Sequence, residues 1–446
     1  MVRACILSVS GPKLTAAEAR LFATQQPWGV ILMGRSCVSR QQVRTLVDDI
    51  WQALGRPCLI FIDQEGGRVA RLKAPEWPLF PRGRDYADLH ARDAEKGLSA
   101  AWLGHRLIAA ELSSLSIHAD CAPVVDLPVA GAHDVIGDRA FGTDPESVAA
   151  LAGAALKGLA AGGVAGVIKH IPGHGRSMAD SHMELPRVTA GDNELASDFD
   201  AFARLADAPM AMTAHISYDA FDANVPATLS KIMIQDVIRQ RIGFDGLLMT
   251  DDLGMKALGG SLGERGHAAI AAGCDVLLHC SGFLSDPDAI LAEMTEVAAA
   301  APILSGRALE RAERAEASRR RSRSRAEKKL RSSISRVLSR SRWGQTMRRK
   351  LIRLRRRSAS RALALDWSCR IMPSSMLSSR SPSISTSGSS RSAALRPMRA
   401  TRSAGETGAW CAEIQFVTPT KSRILSSEAM ITRPFSIQMV KSWRPM

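Results

Sequence analysis

Eight short apolar runs, separated by helical stretches, constrain the fold of this 446-residue chain most strongly. Such runs are typical of parallel strands that helices cover on both faces. Two capping-box sequences, beginning at Thr15 and Ser39, support the intervening helices. Eight strand–helix units in roughly 300 residues predict an α/β fold, a (β/α)₈ TIM-type barrel, with a doubly wound open sheet as the alternative. The predicted strands are residues 4–9, 29–33, 58–62, 120–125, 164–168, 210–215, 246–249 and 275–279.

Five successive predicted strands, the third to the seventh, change from apolar to ionisable residues at their C-terminal ends. In barrel enzymes the C-terminal ends of the strands form one rim, which carries the active site. The sequence therefore predicts an active site built from these strand ends. The residues concerned are Asp63, Asp126, Lys169, His215 and Asp251.

The fifth strand continues into Lys-His-Ile-Pro-Gly-His-Gly at residues 169–175, followed by Asp-Ser-His at 180–182. Gly173 and Gly175 allow backbone angles closed to other residues and Pro172 fixes one more, which predicts a stiff loop. This loop brings one Lys and three His together. Two alternatives are a metal site formed by the three His with an Asp, and a turn with only a structural role.

The pattern resembles the K-H-[FI]-P-G-H-G…D-S-H signature of family 3 glycoside hydrolases, specifically the single-domain bacterial β-N-acetylhexosaminidases that recycle cell-wall fragments. The similarity covers about residues 1–317. It implies a retaining exo-β-N-acetylglucosaminidase that forms a covalent glycosyl-enzyme intermediate. The implied substrates are muropeptide-derived anhydromuramyl fragments carrying a terminal N-acetylglucosamine. The resemblance implies neither a cofactor nor a metal.

The resemblance also assigns catalytic roles. Asp251 matches the nucleophile of the family pattern [ST]-D-[DA]-L-x-M. From the residues alone Asp251 and Asp252 are equivalent, and only one of two adjacent strand-end side chains can face the barrel mouth. The resemblance assigns His182 as the acid/base and Asp180 as the residue that orients it. An imidazole can donate and retake a proton near neutral pH, and a carboxylate stabilises the imidazolium.

Five further residues are implied to hold the hydroxyls and the N-acetyl group of the sugar. Fixed donors and a carboxylate acceptor suit the alternating hydroxyls of a sugar. For the two arginines in this set, surface salt bridges are the alternative. The residues are Asp63, Arg71, Arg139, Lys169 and His170.

Two other functions remain open. The same site could transfer the sugar to phosphate, because a His acid/base repels that anion less than a carboxylate does. The chain could also be an inactive barrel with a basic, nucleic-acid-binding tail. The complete set of Asp251, His182 and Asp180 argues against an inactive barrel.

The net charge of +15 hides two unlike parts. Residues 318–446 contain 30 Lys and Arg against 5 Asp and Glu, whereas the first 317 contain 29 against 39. We predict a barrel domain at 1–317 and an Arg/Ser-rich, low-complexity tail at 318–446, which cannot bury enough apolar surface to fold. Three interpretations of the tail are an arm for nucleic acid or a membrane surface, a disordered extension without a role, and translation of a shifted frame.

The eight cysteines are scattered, without a C-x-x-C pair, as expected for buried thiols in a reducing compartment. The N-terminus lacks the long apolar stretch of a secretory signal, and no segment has eighteen consecutive apolar residues. We therefore expect a cytoplasmic enzyme, monomeric, acting on a small-molecule glycoside. We expect no membrane partner, and nucleic acid binding only through the tail.

Overall fold

A computed structural model describes residues 1–181, 183–282 and 284–318. Eight parallel strands form a closed barrel in chain order. The last strand pairs with the first, with Cys5 opposite Leu277, so the barrel prediction is confirmed and the open sheet is wrong. The strands are β1 (Arg3–Leu7), β2 (Pro27–Leu32), β3 (Leu59–Ile62), β4 (Ala119–Asp120), β5 (Ala165–Ile171), β6 (Met210–Thr213), β7 (Leu247–Asp252) and β8 (Val276–Leu278).

Helices surround the barrel. Both predicted capping boxes are present, with Thr15 and Ser39 as the N-caps of the first two helices. The α-helices are α1 (Ala16–Gln25), α2 (Arg40–Leu54), α3 (Gly83–Arg92), α4 (Ala94–Ser114), α5 (Pro145–Ala161), α6 (Asp192–Ala203), α7 (Leu262–Ala272) and α8 (Pro287–Ala300). Residues 306–318 are also helical. Met233–Arg241 forms a π-helix between β6 and β7, and the short 3₁₀ turns are Gly34–Ser36, Gly137–Arg139 and Ala227–Leu229.

Two small sheets lie in the loops beyond the strand ends. Gln64–Gly66 pairs antiparallel with Val69–Ala70 immediately after β3. Arg187–Val188 pairs in parallel with Ser217–Tyr218. The antiparallel pair, a hairpin, belongs to the rim where charged residues were predicted.

Away from their charged ends the strands are mostly apolar, because both of their faces are buried. On β3, Leu59 and Phe61 belong to the core inside the barrel. Ile60 and Ile62 belong to the core between the strands and the helices. This alternation produces a packed interior rather than a pore.

The N-terminal end of the barrel is closed by the last described helix. Ala312 and Ala315 of helix 306–318 pack in the interior core with Leu304. Trp28, at the start of β2, donates its indole N–H to Glu316 at 3.2 Å. The predicted domain boundary falls at the end of this helix and stays a prediction, because the predicted tail lies, apart from Ser318, outside the described residues.

Six cysteines lie in the described residues, and all six are free thiols. Burial raises the pKa of Cys5 and of Cys58 to about 12, so these thiols stay protonated at neutral pH. Cys369 and Cys411 lie outside the described residues. None of the helices in the described ranges combines the length and the apolarity needed to cross a bilayer.

Candidate active site

Two glycines shape the loop that leaves β5. Gly173 has φ of 144°, a backbone conformation that favours glycine. Gly175 passes so close to the preceding β4 loop that a Cβ there would overlap the carbonyl oxygen of Leu127. The stiff loop predicted from the sequence is therefore tightly packed against the segment that follows β4.

Asp126, in the segment after β4, holds this loop through three hydrogen bonds. Its Oδ1 accepts the backbone N–H of His170 at 3.1 Å and that of His174 at 2.7 Å. Its Oδ2 lies 2.7 Å from His170 Nδ1, so Nδ1 carries the proton and Nε2 is left for the cavity. Burial alone would raise the pKa of Asp126, but its contacts with His170 and His174 together outweigh burial and lower that pKa. Asp126 was noted at a strand end but assigned no role.

Lys169 is the centre of a buried ion-pair network. Its Nζ lies 2.9 Å from Asp63 Oδ1 and 2.7 Å from Glu65 Oε1, and only 3% of its side chain is exposed. Burial alone would lower the pKa of Lys169, but the two carboxylates outweigh burial and raise it. Lys169 is therefore a permanent cation here. Glu65 was not predicted as a site residue, although its spacing of two from Asp63 is the signal for a side chain on the same side.

Arg71 and Arg139 extend the network. Arg71 Nη2 lies 2.9 Å from Asp63 Oδ2, and Arg139 holds Glu65 through Nε and Nη2 at 2.9 and 2.8 Å. Burial alone would raise the pKa of Asp63, but Lys169 and Arg71 outweigh burial and hold that pKa well below its usual range. Both arginines do form ion pairs, but these pairs line a cavity, and only 28% of the Arg71 side chain and 10% of the Arg139 side chain are exposed.

That cavity, of about 210 Å³, brings together all five predicted sugar-binding residues and Asp251. Its lining is Asp63, Glu65, Val69, Arg71, Val135, Arg139, Lys169, His170, His174, Ser181 and Asp251. An adjoining cavity of about 360 Å³ shares Val69, Val135 and Arg139 with it and contains Asp180. His182 lies outside the described residues.

The two adjacent aspartates at the end of β7 have different surroundings. Asp251 lines the cavity. The Asp252 side chain is buried, and its Oδ1 accepts the N–H groups of Gly254 at 3.0 Å and Cys280 at 2.9 Å. Asp252 thus ties the end of β7 to the segment after β8, whereas Asp251 lines the cavity.

His215, also predicted at the rim, supports this strand end and does not line the cavity. Its Nε2–H donates to the carbonyl oxygen of Asp252 at 3.1 Å, and Nδ1 accepts from the Thr228 hydroxyl at 2.7 Å. Burial lowers the pKa of His215, so the ring is neutral at neutral pH.

Ser181 anchors the loop that carries Asp180. Its Oγ lies 3.0 Å from His174 Nε2, and its carbonyl oxygen accepts the N–H of Ala257 at 3.2 Å. The loop is therefore attached both to the end of β5 and to the segment after β7. Burial lowers the pKa of His174 to about 4, so its ring is neutral at neutral pH. The sequence motifs contain both residues, but they suggested no role for Ser181 and only a metal-ligand role for His174.

The two described histidines of the motif each form a hydrogen bond with another side chain. Their rings lie 5.4 Å apart, yet His170 Nδ1 bonds Asp126 and His174 Nε2 bonds Ser181. Over residues 1–181, 183–282 and 284–318, no group of three or more His, Cys, Asp or Glu side chains is arranged to hold a metal ion. The described residues thus give no support to the metal-site alternative.

Known proteins resemble this chain over the barrel. The model of the glycosyl hydrolase family 3 N-terminal domain matches residues 2–315. A beta-hexosaminidase from Bordetella avium (strain 197N) is 37% identical over 281 residues, covering 62% of this chain and 80% of that protein. A beta-hexosaminidase from Alkalilimnicola ehrlichii is 39% identical over 281 residues, with the same two shares.

Solved structures agree with these matches. NagZ from Neisseria gonorrhoeae, in complex with N-trifluoroacetyl-D-glucosamine, has a TM-score of 0.63 and 32% identity. The match covers 71% of this chain and 90% of that one. A family 3 beta-N-acetylglucosaminidase from Paenibacillus sp. str. FPU-7 has a TM-score of 0.63 and 29% identity, over 71% of this chain and 61% of that one.

Proposed function

Because the chain belongs to glycosyl hydrolase family 3, we propose that it releases terminal, non-reducing N-acetylglucosamine by a retaining mechanism. It has the β-N-acetylhexosaminidase activity for which its relatives are named. The observation that carries the mechanism is the single cavity that Asp251 shares with Asp63, Lys169 and both arginines. A nucleophilic carboxylate beside fixed sugar-binding groups is what retention requires.

In the proposed reaction Asp251 attacks the anomeric carbon and forms a covalent glycosyl-enzyme. His182 protonates the leaving oxygen and then accepts a proton from the water that hydrolyses the intermediate. The role of His182 rests on its place in the Asp-Ser-His motif. It is supported by Ser181, which fixes the loop at the edge of the cavity, and by Asp180, which lines the adjoining cavity.

The sugar is held by charges that are already paired with one another. Lys169 uses two of its three N–H bonds on Asp63 and Glu65, which leaves one for a sugar oxygen. Asp63 stays ionised at neutral pH and accepts hydrogen bonds from hydroxyls. A network fixed before substrate arrives loses little conformational freedom on binding.

We place the natural substrate among muropeptide-derived, anhydromuramyl fragments in cytoplasmic peptidoglycan recycling. The motif resemblance supports this choice. The cavity of about 210 Å³ is smaller than the roughly 300–1,000 Å³ of pockets for drug-sized ligands, as expected for a subsite that takes one terminal sugar. The adjoining cavity then lies where the rest of the fragment would extend.

The test is hydrolysis of an aryl N-acetyl-β-glucosaminide by the purified chain, with the anomeric configuration of the first product followed by NMR. Retention predicts that the β-anomer of N-acetylglucosamine forms first. A second arm adds phosphate, and a sugar 1-phosphate as the main product would identify a phosphorylase. Early release of the α-anomer would contradict the mechanism, and no activity on any such glycoside would favour the inactive barrel.

A further inference from the structure

Asp120 is a buried carboxyl group that the proposed mechanism does not use. It is the last residue of β4 and is 0% exposed. Its Oδ1 accepts the backbone N–H of Gln64 at 2.9 Å, while its Oδ2, also buried, has no hydrogen-bond partner among the described residues. Burying a carboxylate with one hydrogen bond is costly, so a group kept in this state requires an explanation.

Gln64 is the residue between the two carboxylates that hold Lys169. Its backbone N–H is fixed by Asp120. Its side-chain Oε1 accepts the N–H groups of Arg71 and Leu72, both at 3.0 Å, and its Nε2 donates to the Leu72 carbonyl at 3.2 Å. One residue thus links the end of β4 to the hairpin that delivers Arg71.

Three charged groups of the cavity depend on this link. Asp63 and Glu65 are the direct neighbours of Gln64 in the chain, and Arg71 is bonded to its side chain. A shift of the Gln64 peptide would move both carboxylates away from Lys169 together. Binding groups are held in a productive geometry by the residues behind them, and small misplacements are costly.

The charge state of Asp120 follows from its surroundings. Burial raises its pKa well above the usual range, and Asp63 and Glu65 raise it further, against the lowering effect of the Gln64 N–H and of Lys169. With Asp120 neutral, the charges that line the cavity balance. Its three cations are Lys169, Arg71 and Arg139, and its three carboxylates are Asp63, Glu65 and Asp251. An ionised Asp120 would add an unbalanced fourth negative charge to a buried cluster.

We propose that Asp120 is a positioning residue that acts as a neutral carboxylic acid, holding Gln64 so that Asp63, Glu65 and Arg71 are set for the sugar. The carbonyl oxygen accepts the Gln64 N–H, and the proton resides on Oδ2. This inference rests on the proposed function of the cavity. It predicts that the role of Asp120 requires an acceptor of this shape and no negative charge.

The test compares Asp120→Asn with Asp120→Ala. Asparagine presents the same carbonyl acceptor to Gln64 without a charge, whereas alanine removes it. We expect Asp120→Asn to stay within about 3-fold of the wild type in kcat/KM. Asp120→Ala should raise KM by about 10-fold, the effect of one buried hydrogen bond, with a smaller change in kcat. The rate ratio between good and poor leaving groups should not change, because the chemical step keeps its acid and its nucleophile.

Calorimetric titration with N-acetylglucosamine gives a readout without turnover. The wild type and Asp120→Asn should have similar dissociation constants for N-acetylglucosamine, and that of Asp120→Ala should be larger. If Asp120→Ala does not fold, Asp120→Leu takes its place, because it keeps the shape of the side chain and also lacks an acceptor for the Gln64 backbone N–H, with the same expected rise in KM. An Asp120→Asn variant as impaired as Asp120→Ala would overturn the neutral acid, and an unchanged KM in Asp120→Ala would overturn the positioning role. A wild type that binds N-acetylglucosamine without hydrolysing its glycosides would refute only the proposed function. If it neither binds nor hydrolyses, both proposals fail.

Discussion

The two ends of the barrel are filled by opposite chemistry. At the C-terminal end, buried charges meet one another, with Lys169 between Asp63 and Glu65. At the N-terminal end, Trp28 and Ala315 belong to the apolar core that helix 306–318 closes. Both ends are packed, and the C-terminal end contains the cavity that Asp251 lines.

The charged end and the apolar end contribute differently to function and to stability. Buried ion pairs cost desolvation, and replacing such a pair with apolar side chains is often neutral or stabilising. Burial of apolar surface contributes to the free energy of unfolding directly. A charged, buried rim is thus explained by what it binds, and an apolar, closed end by what it stabilises. Substitutions of groups facing the cavity should change activity more than stability, and changes at the closed end should do the reverse.

Asp251→Ala gives the sharpest form of this contrast. Loss of the nucleophile should reduce turnover on the order of 10⁴-fold or more, since a catalytic group that acts as part of a unit has effects of this size. The melting temperature should stay near that of the wild type. Kinetics and thermal unfolding of the same preparation measure both quantities. In the wild type, trapping with a slow fluorinated glycoside, followed by peptide mapping, should place the label on Asp251.

Asp252→Ala is the matched control one residue away. It removes the acceptor for the N–H groups of Gly254 and Cys280, which should lower the free energy of unfolding by about 1–3 kcal/mol. Activity should fall only by a modest factor. A label on Asp252, or no label on the protein, would reverse the assignment and favour a mechanism assisted by the N-acetyl group.

The sequence predicted the eight strands and the charged rim, because both depend on local patterns. Strand ends were harder to place. β4 ends at Asp120 rather than 125, although an isolated bridge between Val124 and Lys169 resumes the parallel pairing after Pro123. β5 and β7 continue through Lys169 and Asp251, residues taken from the sequence as strand ends.

The partners of the rim residues could not be predicted from the sequence. Glu65 and Asp126 make their contacts with residues 74 and 44 positions away. Such bonds depend on which strands are neighbours and on how each side chain is turned. The choice between Asp251 and Asp252 needed the same information, namely that Asp252 points toward β8.

His182→Ala tests the acid/base role. Loss of a general acid typically costs 10²–10⁴-fold. We expect losses of this size with poor leaving groups and much smaller losses with activated phenols, which need little protonation. Rates on a series of aryl N-acetyl-β-glucosaminides provide the comparison. Equal losses across the series would contradict proton donation and favour a positioning role.

Ser181→Ala should give a weaker effect of the same kind. It keeps Asp180 and His182 in the chain but removes the 3.0 Å bond to His174 that anchors their loop. A hydrogen bond of this type is worth about 1 kcal/mol, or about 5-fold in rate. The loss should again be larger for poor leaving groups. A uniform loss accompanied by a lower melting temperature would show that the bond serves stability alone.

Removal of residues 319–446 should have the smallest effect of all. A chain ending at Ser318 keeps the rim and the helix that closes the barrel, so its activity and melting temperature should match those of the full chain. The control ends at Ser305 and lacks that helix, which exposes Leu304 and the interior core at the N-terminal end. It should unfold at a clearly lower temperature. Removal of the basic residues should also abolish any salt-dependent retention on DNA, measured at two salt concentrations. Aggregation or inactivity of the chain ending at Ser318 would show that the barrel domain extends further than residue 317.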